Sequence, residues 1–180
     1  MNLYEQTVEF VGEAFKGKVA HFERTVFWYE QLLPQLTEAH RVAAYAHDIE
    51  RALRDKNTPD TENYLDPEFL KRHQEGGAKI MADFLREKGA DDMTIDKVSH
   101  LISKHEVGGD AEQDALMDAD SVSFMETNAE MFVTKKAPTE GYEKVKEKLD
   151  WMYNRINSPE AKEAARANYE RWSAELEKLK

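Results

Sequence analysis

Apolar residues recur at intervals of three and four along most of the chain, and no segment alternates apolar with polar positions for long enough to make a strand. This pattern predicts an all-α fold with helices near residues 2–15, 18–33, 37–55, 67–88, 95–105, 111–133, 139–156 and 159–179. Side-chain chemistry marks the boundaries. Asp66-Pro67 sets a capping carboxylate before a proline at the first helical position, and Lys88-Gly89 closes that helix about six turns later. Ser158-Pro159 repeats the starting device, Asp110 with Gln113 forms a capping-box pattern, Thr37 and Thr94 stand as caps, and Pro34 ends the helix that carries His21.

The last two predicted helices have the cleanest apolar stripes. Tyr142, Val145, Leu149, Met152 and Ile156 line one, and Ala165, Tyr169, Trp172, Leu176 and Leu179 line the other. They are expected to form a structural buttress over about residues 138–180 of one domain that spans residues 1–180. Exposed apolar positions on them could also support a homodimer. The longest irregular stretch, Lys56 to Leu65, is rich in Asn, Thr, Asp and Glu and reads as a connector, with a substrate lid as the alternative.

A length of 180 residues is enough to bury a core without disulfides. The chain has no cysteine, so thiolate zinc sites and cysteine nucleophiles are excluded, and any transition metal must be held by nitrogen and oxygen. A cytoplasmic location is expected, since the first ten residues do not read as a secretory signal and no apolar run approaches the length of a membrane span. The net charge of −11 argues against nucleic acid and anionic lipid as partners. Lys144, Lys146 and Lys148 alternate with Glu143, Glu147 and Asp150, a pattern expected of a solvated helix face.

The chemistry centres on His47-Asp48, which follows the small residues of Ala43-Ala44-Tyr45-Ala46. A continuous helix would let these two side chains diverge by about 100°, so that both reach one ion or the carboxylate reaches a second. His21 lies 26 residues earlier, His73 lies 26 residues after His47, His105 follows 32 later and Asp120 another 15 later, each on a different predicted helix. On these residues the chain resembles the HD-domain superfamily of metal-dependent phosphohydrolases over about residues 18–125. His21 matches the first histidine of that pattern, His47-Asp48 the signature pair, and Asp120 the closing aspartate. His73 and His105 look like the added ligands of the two-metal branch, in which the signature aspartate bridges the ions.

The resemblance implies two divalent transition metal ions (Fe, Mn, Co, Ni or Zn) held by His21, His47, Asp48, His73, His105 and Asp120. It implies hydrolysis of a small phosphorylated substrate, plausibly a nucleotide, with Asp48 and Arg51 in catalytic roles. Four imidazoles and two carboxylates make a coherent donor set for such ions, whose charge would draw a phosphate into an otherwise acidic protein. Arg51, one turn beyond Asp48, could hold a phosphate oxygen with its guanidinium fork. The chain departs from the cyclic-dinucleotide phosphodiesterases of that branch: Ile49-Glu50-Arg51 follows the signature pair, with no glycine-lysine ending and no Gly-Tyr-Pro motif. Two alternatives stay open, a mixed-valent di-iron oxygenase and a metal-retaining signalling module without turnover.

Other residues carry weaker expectations. His40 is expected at the surface or rim, and His100, about 140° round its helix from His105, facing away from the ions. Glu50, Asp55 and Asp118 are candidates for groups behind the ligands or for general acids. Gly76-Gly77, just after His73, points to a close backbone approach, with helix packing as the expected reason.

Overall fold

Asn2 accepts the Glu5 N–H and opens α1 (Leu3–Ala14), which is followed by α2 (Ala20–Leu32), α3 (Glu38–Ala46) and α4 (Ile49–Leu53). The computed structural model of the chain describes residues 1–54 and 65–180, so Asp55 and nearly all of the Lys56–Leu65 connector, with its lid alternative, lie outside the described residues. Asp66 accepts the Phe69 N–H at 2.8 Å and Pro67 occupies the first position of α5 (Pro67–Glu87). Asp91, not Thr94, caps α6 (Asp92–Ile102). The Asp110–Gln113 capping box opens α7 (Ala111–Thr127). After the short α8 (Ala129–Met131) comes a π-helical turn, Phe132–Lys136, then α9 (Ala137–Glu140), α10 (Tyr142–Asn154) and α11 (Pro159–Glu177), the last capped by Ser158. The fold is all-α, with no strand among the described residues.

Helix α7 is the axis of the molecule. Every residue from Leu116 to Met125 is buried, which is what a helix surrounded by others requires. On one side α2 lies along it, while α10 and α11 cover another. Two apolar clusters result. Val42, Tyr45, Ile49, Met81, Leu85 and Leu101 anchor the first, built from α1 to α6 with the start of α7. Val122, Met125, Leu149, Met152, Trp172 and Leu176 anchor the second, which joins the rest of α7 to α10 and α11. Trp28 and Leu32 of α2 pack against both.

Several predicted elements differ. The expected helix over 37–55 is interrupted: α3 stops at Ala46, and Asp48 sits at φ −95° and ψ 9° before α4 begins. His47-Asp48 therefore lies on a helix junction. The expected helix over 95–105 ends at Ile102, so His105 lies in the turn beyond it. The expected helix over 111–133 ends at Thr127, and the chain reaches α10 through shorter turns. His40 is buried rather than on the rim, because its Nδ1 accepts the Thr37 backbone N–H at 3.0 Å while its Nε2 lies 3.3 Å from Glu112. Leu179 is exposed, since α11 has already ended.

Candidate metal centre

Four imidazoles stand in a row through the middle of the protein. Ring centroids are 5.2 Å apart between His21 and His47, 5.1 Å between His47 and His105, and 5.2 Å between His105 and His73. All four are buried, the most accessible being His21. Each arrives on its own element: His21 on α2, His47 at the end of α3, His73 on α5 and His105 just after α6.

The orientation of each ring is set by its Nδ1. The last carbonyls of a helix have no partner within the helix, and two of the histidines use them. His47 Nδ1–H donates to the Ala44 carbonyl at 2.8 Å, and His105 Nδ1–H donates to the Ile102 carbonyl at 2.8 Å, in both cases three residues back. His73 Nδ1–H donates to Glu50 Oε2 at 2.8 Å. Ser123 donates its hydroxyl to the His21 carbonyl and so presents a lone pair to His21 Nδ1 at 2.9 Å. Fixing Nδ1 as the donor turns Nε2 inward on every ring, the arrangement by which outer partners prepare histidine as a metal ligand.

Carboxylates converge on those Nε2 atoms. Asp120 Oδ1 lies 3.0 Å from His21 Nε2 and 3.5 Å from His47 Nε2. Asp48 Oδ1 lies 2.9 Å from His73 Nε2 and 3.8 Å from His105 Nε2, and Glu106 Oε1 lies 3.9 Å from both. Two adjacent groups thus form, His21–His47–Asp120 and Asp48–His73–His105–Glu106, each with its donor atoms within 4.8 Å of one another. The Nε2 atoms of His47 and His105 are buried without a hydrogen-bond partner. A buried polar nitrogen without a partner is costly, and a cation held between these nitrogens and the neighbouring carboxylates would satisfy both. The donor set fits a borderline divalent ion in each group.

Three residues that the sequence reading passed over complete the centre. Glu106 is one. Arg155, beyond the end of α10, is the second: it holds Asp120 Oδ2 and Glu106 Oε2, leaving Oδ1 and Oε1 of those carboxylates for the histidines, and donates to Ser121 Oγ at 2.8 Å. Lys148 is the third, buried rather than on the solvated face expected for Lys144, Lys146 and Lys148. A signal existed, because Lys148 and Arg155 continue the spacing of Val145, Leu149 and Met152 and are charged residues on an apolar stripe. The C-terminal helices are therefore more than a buttress.

Arg51 donates to Asp48 Oδ1 at 2.7 Å and to Glu106 Oε1 at 3.0 Å, so it reaches the centre. Glu50 supports His73, as a group behind the ligands should, and also pairs with Arg54. Asp118 has a structural part, accepting the backbone N–H groups of Asn157 and Ser158 and fixing the turn into α11. His100 faces away, as expected, and pairs with Asp110 at 2.6 Å. Gly76 and Gly77 carry the close approach anticipated for them: a Cβ on Gly77 would lie 3.3 Å from the His47 carbonyl oxygen and 3.3 Å from Ile102 Cγ2.

Burial opposes charge on these groups, and their neighbours outweigh it. Despite burial, Arg51, the nearby His105 and the hydrogen-bonded His73 hold Asp48 well below the usual carboxylate range. Arg155 and His47 do the same for Asp120. His47 is disfavoured as a cation by burial, yet Asp120 beside it carries its pKa up to about 9. Burial dominates at His105, whose pKa is lowered. It also brings Lys148 down to about 8 against the attraction of Glu106.

A cleft of about 220 Å³ opens onto the centre, with His21, Asp48, Glu106 and Asp120 on its floor and Phe124, Phe132 and Met152 on its apolar side. A larger cavity of about 700 Å³ lies beyond the Glu106–Arg155 pair and shares only Glu106 with the first. The smaller one holds carboxylates from both groups and is the candidate for chemistry. No helix among the described residues is long and apolar enough to cross a membrane.

No curated protein matches the chain. No solved structure matches it either. The HD-domain likeness finds no counterpart among the family models, whereas a model described as a domain of unknown function, DUF4202, matches residues 6–179. That match takes in all the residues of the centre, from His21 to Arg155, and the chain belongs to the DUF4202 family.

Proposed function

We propose that this protein is a metal-dependent hydrolase that cleaves the phosphate ester or anhydride of a small molecule. The observation that carries the reading is the common orientation of four buried imidazoles, each with Nδ1 anchored and Nε2 turned toward Asp120 or toward Asp48 and Glu106. The likeness of His21, His47-Asp48 and Asp120 to the HD-domain pattern supports the same chemistry. Divalent ions in such a site supply Lewis acidity toward a phosphoryl oxygen and bring the pKa of water toward neutrality.

The chain's own groups would do the rest. Asp48 would serve the group of His73 and His105 through its Oδ1, and it follows His47 of the other group directly in the chain. Arg51 now spans Asp48 and Glu106; with those oxygens engaged by cations, its fork is free to turn toward a phosphate oxygen in the cleft. Arg155 keeps Asp120 and Glu106 in register.

The test is phosphate release. The purified protein, loaded in turn with manganese, cobalt, iron, nickel and zinc, is assayed without oxygen against a panel of small phosphomonoesters and anhydrides. Release with at least one metal, abolished in Asp48→Ala and His47→Ala, is expected. Silence with every metal would overturn the reading, and turnover that appears only with iron in a parallel assay in air, with oxygen consumed, would replace hydrolysis by oxidation.

A further inference from the structure

Lys148 is 6% exposed, and it lines the cleft. Buried lysines are ordinarily ion-paired, but among the described residues this one forms no hydrogen bond and no ion pair. Its nearest partners are aromatic faces, with Nζ 4.5 Å from the centroid of Trp151 and 5.6 Å from that of Phe124. Ring faces attract a cation but leave its three N–H donors without acceptors. Glu106 and Asp120 act on it only from a distance, because Glu106 spends its two oxygens on Arg155 and Arg51, and Asp120 spends one on Arg155 and turns the other to His21. A structural lysine would have taken one of these carboxylates. Lys148 is held off them, over the same cleft into which Arg51 opens.

Part of the cleft wall is apolar. Phe132 begins the π-helical turn and stands against Phe124, their ring centroids 5.1 Å apart, with Met152 beside them in the cleft. Irregular helical turns of this kind often re-aim side chains at ligands. At about 220 Å³ the cleft falls below the ~300–1,000 Å³ of sites for drug-sized ligands, which restricts its occupant to a small one.

We propose that Lys148 is the anion-recognising group of this cleft, and that the ligand is a small phosphomonoester with its organic part against Phe124, Phe132 and Met152. The assignment rests on the metallohydrolase reading and adds to it a residue and a substrate class. Lys148 binds the phosphate, and the apolar wall selects an ester over free phosphate.

The experiment uses inorganic phosphate and benzylphosphonate, a phosphomonoester mimic without a cleavable ester bond, as titrants of the metal-loaded protein in a calorimeter. Lys148→Met and Lys148→Gln are compared with the parent, and metal content and melting temperature are measured on each. The parent is expected to bind benzylphosphonate more tightly than phosphate. Each variant should lose about 10–100-fold in affinity for both titrants, the worth of one charge-assisted hydrogen bond. Metal content should be unchanged, and the melting temperature of Lys148→Met should rise, because an unpaired buried charge has been removed. Full metal content with undiminished affinity in the variants would overturn the role of Lys148. Equal affinity of the parent for the two titrants would overturn the phosphomonoester assignment. Failure of the parent to hold metal ions would instead sink the metallohydrolase reading, and this inference with it.

Discussion

At the scale of single residues, proton and metal compete for the same atoms. His47 carries a pKa of about 9, set by Asp120 against the opposition of burial, so at neutral pH its Nε2 is protonated until a cation displaces the proton. Metal binding should therefore release protons, and metal affinity should climb as pH rises from about 6.5 toward 9. Calorimetric titration in buffers of different ionisation enthalpy checks this, and a pH-independent affinity would contradict it. The sign for stability is the reverse. The raised pKa of His47 stabilises the metal-free fold fully below its ordinary value of 6.5 and loses that effect as pH rises through about 9. Glu50 is lowered to about 2 by His73 and Arg54 despite burial, so its contribution is present above 4.5 and lost as pH falls toward 2. Metal-free protein should accordingly be most stable between about pH 4.5 and 6.5, and Glu50→Gln should flatten the acid side of the profile in urea unfolding. The same substitution replaces the charged partner of His73 Nδ1 by a neutral amide and should weaken the ion of its group by about 10–100-fold, leaving the His21–His47–Asp120 group intact, as metal analysis would report.

Among the elements, the centre depends on how closely α5 can pass the end of α3. Gly77 lets the two backbones meet: a Cβ there already lies at 3.3 Å from the His47 carbonyl, and a branched side chain has nowhere to go. Gly77→Val should destabilise the protein by about 1–3 kcal/mol, the usual result of overpacking, and should displace His47 from its neighbours. Gly12, in the middle of α1, has open space where its Cβ would stand. Gly12→Ala should therefore stabilise by up to about 1 kcal/mol through helix propensity alone. Denaturation of the two variants side by side separates close approach from the general cost of glycine in helices. The interruption between α3 and α4 works in the same way, since stopping at Ala46 leaves the Ala44 carbonyl to orient His47 and lets Asp48 reach the neighbouring group.

The whole molecule is tied together by Arg155. It joins the C-terminal cluster to the histidine-bearing helices through Asp120, Glu106 and Ser121. Removing one partner of a buried charge network strands the others, so Arg155→Met should destabilise the metal-free protein by about 3–5 kcal/mol. Divalent ions should restore much of that loss by neutralising the same carboxylates, and denaturation with and without metal would show it; an equal loss in both conditions would mean that Arg155 acts by packing alone. This coupling also explains why α10 and α11 belong to the centre although no ligand comes from them.

The all-α class and the Asp66-Pro67, Asp110 and Ser158 starts could be read from the sequence, because periodicity and capping are local properties, whereas the grouping of His21, His47, Asp48, His73, His105 and Asp120 is expected only through the HD-domain resemblance. Which charged residues leave solvent is not local. Glu106, Lys148 and Arg155 resemble any charge on a helical protein until α10 is laid against α7, and His40 looks like a surface histidine until Thr37 and Glu112 enclose it. Sequence determined the helical class, most element starts and six of the seven candidate donors, Glu106 being the exception. Tertiary packing alone decided that two donor groups form side by side, that an arginine holds their outer oxygens, and that one lysine is buried over the cleft without a carboxylate. Burial and charge pairing are properties of neighbours brought together by folding, and linear order does not carry them.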